Sequence, residues 1–241
     1  MNDFSLAFEE RLQEIEAYLN LLEALEQQIQ EGVPQFGENG PRITVQQQKI
    51  LYSSVYLQLY NLVESTVTRC VDAISETIIQ NQLHPSQLSI NLQKIWVKST
   101  ARTNVDLNDE NRLNSAFRMY THLVQFLPIS IFEIEKGGGG SWDDTQIEAM
   151  STKLGLSLRI SPDIYSKIKR KFRDELKPLT FIMKLRNSLA HGSISFAECS
   201  DEVTVRELRE LTNLTASYLR QVVACFKSSI DNNEFLLPEL R

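Results

Sequence analysis

Residues from about Val45 to Gln80 carry an apolar stripe that keeps a helical step throughout. Val55, Leu59, Val63, Val67, Cys70, Ile74 and Ile78 recur at intervals of three and four. Leu57, Tyr60, Asn61, Glu64 and Thr68 lie roughly opposite. A helix that is apolar on one side and semi-polar on the other belongs in the middle of a bundle. So long a helix restricts the chain to architectures built by packing long helices.

Other stretches follow the same rule. From about Phe4 to Gln30, Phe8, Leu12, Ile15, Leu19, Leu22 and Ile29 form a stripe with one gap at Glu26. The acidic side of that helix (Glu9, Glu10, Glu14, Glu16, Glu23) is unsuited to phosphate. Gly32 and Pro34 end it. His84-Pro85-Ser86 breaks the second helix, and Ser86 is the expected cap of a shorter one through Trp96. Asp109 or Asn111 opens a core-forming helix through Leu127, with Leu113, Phe117, Tyr120, Val124 and Leu127 apolar; Pro128 stops it. His122 on this helix reads as a structural histidine. Ser161-Pro162 starts a basic helix that Pro178 must kink or divide. The final helix opens at Thr204 or Val205, with Leu208, Leu211, Thr215, Leu219, Val222 or Val223, and Phe226 as its core stripe. The expected fold class is all-α.

Ile129 to Ile134 alternates enough for a short strand. Gly137 to Gly140, with Ser141, reads as a flexible joint. Asp143 or Asp144 then caps a short helix ending at Leu154-Gly155. Residues 129–160 therefore read as a small lobe inserted between bundle helices, in a chain otherwise forming one domain over 1–241. Ser193 to Ser200 reads as a loop or brief hairpin.

Composition removes several function classes. No apolar run reaches the roughly 18 residues that span a bilayer, so no membrane partner is expected. Met1-Asn2-Asp3-Phe4 lacks the basic-then-apolar order of a signal peptide, so a cytoplasmic location is the expectation. Cys70, Cys199 and Cys225 are far apart and odd in number, as suits reduced thiols. His84, His122 and His191 show no ligand spacing with one another or with cysteine, so neither a metal nor another cofactor is expected. A net charge of −6 argues against a general nucleic-acid coat. The charge is uneven, however. Tyr165 to His191 holds eight basic and two acidic residues, a local +6 that leaves −12 elsewhere. Lys169, Arg170, Arg173, Lys177 and Lys184 from this run are the candidate contacts to an anionic polymer.

The basic run leads into Leu185-Arg186-Asn187-Ser188-Leu189-Ala190-His191-Gly192. Arg186 brings a permanent planar cation suited to phosphate. His191 brings the side chain whose unperturbed pKa lies near neutrality. Together they are a minimal kit for phosphodiester cleavage without a metal. A step of five residues turns an ideal helix by about 500°, so the two side chains point about 140° apart. They converge only if the helix unwinds at Gly192 or if a second copy supplies the missing group.

The string resembles the R-x-x-x-x-H motif of the HEPN family of all-helical ribonucleases, with Asn directly after Arg as is common there. The resemblance covers mainly Val45 to Gln80 and Pro162 to Ser229. It implies a helical bundle with long antiparallel helices, a homodimer with its active site in the interface cleft, and Arg186 and His191 as catalytic residues. Asn187 then holds the imidazole tautomer or donates to phosphate, and Ser188 is a weaker helper. Glu64 on the second helix reads as a solvated or capped carboxylate or, in the alternative, as one that faces the Arg/His site and orients a cation there. The implied branch is that of bacterial toxin and phage-defence nucleases, whose partner is an antitoxin such as a nucleotidyltransferase. Some HEPN toxins carry a tyrosine two residues after the histidine, where such a partner modifies it; Ser193 stands there in this chain. The expected function is metal-independent RNA cleavage. The alternatives are a HEPN-like module that binds RNA or nucleotide without cutting, and a helical protein-interaction module. In the latter, His191 merely complements the negative end of a helix dipole.

Overall fold

The two long periodic stretches become long helices with nearly the expected bounds. The computed structural model describes residues 4–35, 37, 40–102, 105–137, 141–201 and 203–241. Helix α1 spans Phe4–Glu31 and α2 spans Val45–Gln80. They are followed by α3 (Ile90–Ala101), α4 (Asp109–Val124), α5 (Asp144–Leu154), α6 (Pro162–Lys169), α7 (Pro178–Ala190), the single turn α8 (Phe196–Cys199) and α9 (Val205–Asp231). Among the described residues there is no strand, so the chain is all-α. No helix in them is long and apolar enough to cross a membrane.

The chain divides into two units. The first comprises Met1–Thr66, Gly140–Gln146 and Ile160–Gln221. Its core is lined by Phe8, Leu12, Ile15, Leu19 and Leu22 of α1, Val55, Leu59 and Val63 of α2, Phe181 and Ile182 of α7, and Leu208, Leu211 and Leu219 of α9. Polar ties fix the register of these helices. The Tyr18 hydroxyl donates to the Leu51 carbonyl at 2.9 Å, joining α1 to α2. Arg220 of α9 grips Glu9 of α1 with two bonds of 2.8 and 2.9 Å, and Arg209 holds Glu23 and Asn20. Tyr56 of α2 meets Phe181 of α7 edge-on, with ring centroids 5.7 Å apart. Burial pushes the Tyr56 hydroxyl well above its ordinary range.

The second unit comprises Val67–Gly139, Ile147–Arg159 and Val222–Arg241. Leu88, Leu92 and Trp96 are buried in it, together with Ile74, Ile78 and Phe226. The C-terminal tail is stitched to the turn before α3: Ser89 N–H donates to the Phe235 carbonyl at 2.8 Å, and Leu237 N–H to that of Gln87 at 2.9 Å. Asn91 of α3 donates to the Thr152 carbonyl at the end of α5, at 3.0 Å.

Several sequence expectations are corrected. The α1 stripe continues through Leu25, which is buried, whereas Ile29 is exposed. His84 Nδ1, not Ser86, accepts the capping N–H of a short 3₁₀ turn, and α3 starts at Ile90 and runs past Trp96 to Ala101. Asn108 caps α4, accepting from Asn111 N–H at 2.9 Å. The α4 stripe is not core: Leu113, Phe117, Tyr120 and Val124 are 69, 64, 61 and 55% exposed. This helix instead buries Ser115 and sets His122 against Trp96, with ring centroids 5.3 Å apart. Residues 129–134 are extended but form no ladder. Phe132 and Ile134 point inward while Ile131 and Glu133 face out, so the alternation is that of a lone extended segment. Residues 193–200 contain α8, started by a Ser195–Glu198 capping box, rather than a hairpin. The expected joint at Gly137–Gly140 lies, from residue 138, outside the described residues.

Candidate functional site

The basic helix neither kinks at Pro178 nor abuts a second helix: α6 already ends at Lys169, residues 170–177 are not helical, and α7 begins with Pro178 at its first position. It ends in a Schellman motif. Gly192 N–H donates to the Leu189 carbonyl at 3.2 Å, and Ser193 N–H to the Ser188 carbonyl at 2.9 Å. Gly192 holds φ at +68°, a left-handed conformation that glycine adopts without Cβ strain. The helix therefore stays regular through Ala190 and does not unwind before His191. His191 is the cap residue and is exposed.

Arg186 turns the other way, toward α2. Its guanidinium carbon lies 4.6 Å from the centroid of the Tyr60 ring. Nη1 donates to Asn187 Oδ1 at 3.0 Å, and Nη2 is 3.8 Å from Glu64 Oε2. The Arg186 side chain remains 30% exposed. Its planar group thus has a ring on one face, one nitrogen hydrogen-bonded to Asn187 and another in a longer ion pair with Glu64, and part of it still meets solvent. No hydrogen bond or ion pair joins Arg186 to His191 among the described residues. Glu64 of α2 lies beside the Arg186 cation, with its side chain 36% exposed. Asn187 accepts from Arg186. The Ser188 carbonyl serves the helix cap and also accepts from the Ser193 hydroxyl at 3.1 Å.

Tyr60 was not singled out as a site residue in the sequence, although its position one helical turn before Glu64 is a legible signal. It is 1% exposed, and its hydroxyl oxygen accepts the Trp142 peptide N–H at 3.3 Å. Burial raises the Tyr60 hydroxyl pKa, opposed by the Trp142 bond and by Arg186, while Glu64 adds to the rise. Trp142 itself is 7% exposed. No sequence signal pointed to it, because residues 129–160 read as an excursion.

The basic candidates are placed differently from one another. Lys169 and Lys177 both reach Oδ2 of Asp144, at 2.7 and 3.0 Å, and that carboxylate is fully buried. Asp144 Oδ1 is buried with no hydrogen-bond partner among the described residues. Beside it, Asp143 caps α5 and its Oδ2 accepts from the Thr180 hydroxyl of α7 at 3.1 Å. Arg173 donates to the Asp201 carbonyl at 3.4 Å. Arg170 and Lys184 are exposed. No group of three or more His, Cys, Asp or Glu able to hold a metal ion forms among the described residues.

Among models of known protein families, residues 3–235 match the one described as MAE_28990-like HEPN. No curated protein and no solved structure matches.

Proposed function

The chain belongs to the HEPN family, and on that premise we propose that it is an endoribonuclease that cleaves RNA without a metal. The RNA 2′-hydroxyl attacks the adjacent phosphorus. The O2′–P bond forms, the P–O5′ bond breaks, and a cyclic phosphate and a 5′-hydroxyl result. His191 takes the proton from O2′ or gives one to O5′. Arg186 stabilises the added negative charge of the pentacoordinate phosphorus. The observation that carries this reading is the presence on one helix of a partly exposed Arg186, set against Tyr60, Asn187 and Glu64, and an exposed His191 at a rigid helix end.

Because the Schellman cap keeps α7 regular, one chain cannot bring both groups to one phosphate by unwinding. A homodimer in which two α7 ends face each other supplies Arg186 from one copy and His191 from the other. Arg170, Arg173 and Lys184 are the foremost contacts to the RNA backbone. Lys169 and Lys177 join them through whatever charge Asp144 leaves uncompensated. Asn187 and Ser188 complete the phosphate surroundings. The setting we favour is a cytoplasmic toxin of a toxin–antitoxin or phage-defence system. Its antitoxin, a nucleotidyltransferase or another small protein, acts by a route other than modification two residues after His191, where Ser193 stands.

A second reading, binding of RNA or nucleotide without cutting, draws on the same Glu64 contact, which offsets part of the Arg186 charge. The test is RNA cleavage by purified protein in EDTA, measured together with melting temperature. His191→Ala is expected to lose on the order of 10²–10⁴-fold in rate while remaining folded. Arg186→Lys is expected to fail as well, because an ammonium does not reproduce the planar guanidinium. Full cleavage by His191→Ala removes the site assignment, and binding without cleavage by the wild type selects the second reading.

A further inference from the structure

Among the described residues no charged partner lies within 3.5 Å of the Arg186 guanidinium: Glu64 stands at 3.8 Å, and Nη1 donates to the neutral Asn187 Oδ1 at 3.0 Å. What lies against its face is the Tyr60 ring, 4.6 Å from the guanidinium carbon. A cation over a tyrosine ring is attracted by the negative face of the π-system. The ring also blocks one side of the planar group, so its remaining donors can swing only within a narrow range. For this to work, the ring must itself be immobile. Tyr60 is 1% exposed, and the far end of its side chain is tied to the peptide N–H of Trp142.

We propose that Tyr60 is a positioning residue for Arg186, a ring platform held in place by the main chain at Trp142. The segment that follows Trp142 secures the other side of the arrangement. Asp143 takes the Thr180 hydroxyl at the start of α7, and Asp144 takes Lys169 and Lys177. The short stretch 142–144 therefore anchors both the platform on α2 and the base of the helix that carries Arg186. This role assigns a task to a buried hydroxyl and to a segment that the Arg/His motif does not include. Its activity readout rests on the RNA-cleavage reading above, whereas its spectroscopic readout does not.

The experiment uses the full chain. In an NMR spectrum of guanidinium groups, the Arg186 resonances of the wild type are expected upfield, shifted by the ring current of Tyr60. Tyr60→Phe keeps the ring but not its tie to Trp142, so it is expected to keep part of the shift and to cut faster than the variants without a ring but slower than the wild type. Tyr60→Leu and the less disruptive Tyr60→Met lose the shift. They lower kcat by roughly 3- to 30-fold, the range of a lost cation–π contact, with KM for RNA little changed. In an Arg186→Ala background, Tyr60→Met is expected to cause no further loss. A wild-type Arg186 signal without an upfield shift overturns the proposal. So does a Tyr60→Met variant that cuts as fast as the wild type, or one that slows the Arg186→Ala background equally. If the wild type cuts no RNA but the ring-current shift is present, the ribonuclease reading fails and the positioning of Arg186 stands.

Discussion

Gly192 and His122 show how much single residues hold in this chain. At φ +68°, Gly192 lets its own N–H and that of Ser193 close the end of α7. A Cβ there meets nothing within 4 Å, so any penalty is purely conformational. Gly192→Ala is expected to cost about 1 kcal/mol by denaturant unfolding, and to lower cleavage further by loosening the cap that carries His191. His122 is a different case. Burial first, then the neighbouring His84, depress its pKa below the ordinary 6.5. The folded state thus favours the neutral ring, and the unfolded chain binds the proton more readily. The resulting stability is present above about pH 6.5 and is lost as pH falls through the depressed value. The wild type should melt lower at pH 5.5 than at pH 7.5. In His122→Gln, melting temperature should fall less between those two values.

Among elements, the connection from α6 to α7 depends on the Asp144 clamp. The carboxylate is fully buried, while its lysine partners are 23 and 36% exposed and can reach water. Removing the acid frees two cations that solvate readily. Removing both lysines strands a charge in the interior. The double variant Lys169→Met with Lys177→Met is therefore expected to cost on the order of 3 kcal/mol. Adding Asp144→Leu should recover much of that loss, as measured by urea unfolding. The Arg220–Glu9 pair between α9 and α1 contrasts with this. Its side chains are 49 and 42% exposed, so solvent screens it, and Arg220→Ala should cost below about 1 kcal/mol. The H-bond to Arg220 nevertheless holds the Glu9 carboxyl below its usual range.

For the whole molecule, the decisive question is whether one copy suffices. Arg186 faces Tyr60 and Glu64 while His191 stands at the exposed cap. In the homodimer proposed above, two copies related by a two-fold axis would each lend one group, Arg from one chain and His from the other. Arg186→Ala and His191→Ala are each expected to keep only a small residual rate, on the order of 10²–10⁴-fold below the wild type. In a one-chain site, mixing them changes nothing. In a composite site, mixing and re-equilibrating them restores a measurable share of the wild-type rate, because a mixed pair retains one intact Arg and one intact His. Absence of any restored cleavage, with exchange of subunits verified, would rule out the composite centre. The net charge of −6 with a local +6 over residues 165–191 further predicts that RNA affinity falls steeply with added salt.

What the sequence determined was local. Apolar residues at steps of three and four produce helices whatever surrounds them, so α1, α2, α7 and α9 were legible almost to their ends. Pro162, Pro178 and Gly192 act within a turn of themselves, and their punctuation was legible too. So was the Arg/His string, with the geometric expectation that one helix keeps its two side chains apart. Tertiary structure decided whatever depends on neighbours distant in sequence. The α4 stripe has the same period as a core stripe, yet Phe117 and Tyr120 remain exposed, because period says only that one face is apolar and not what covers it. The alternation at 131–134 likewise reports an extended chain and not a partner strand. Trp142 meets Tyr60 across 82 positions, and Lys169 and Lys177 converge on Asp144 across 25 and 33. Such contacts are made by packing whole helices together, and no spacing rule along the chain encodes them.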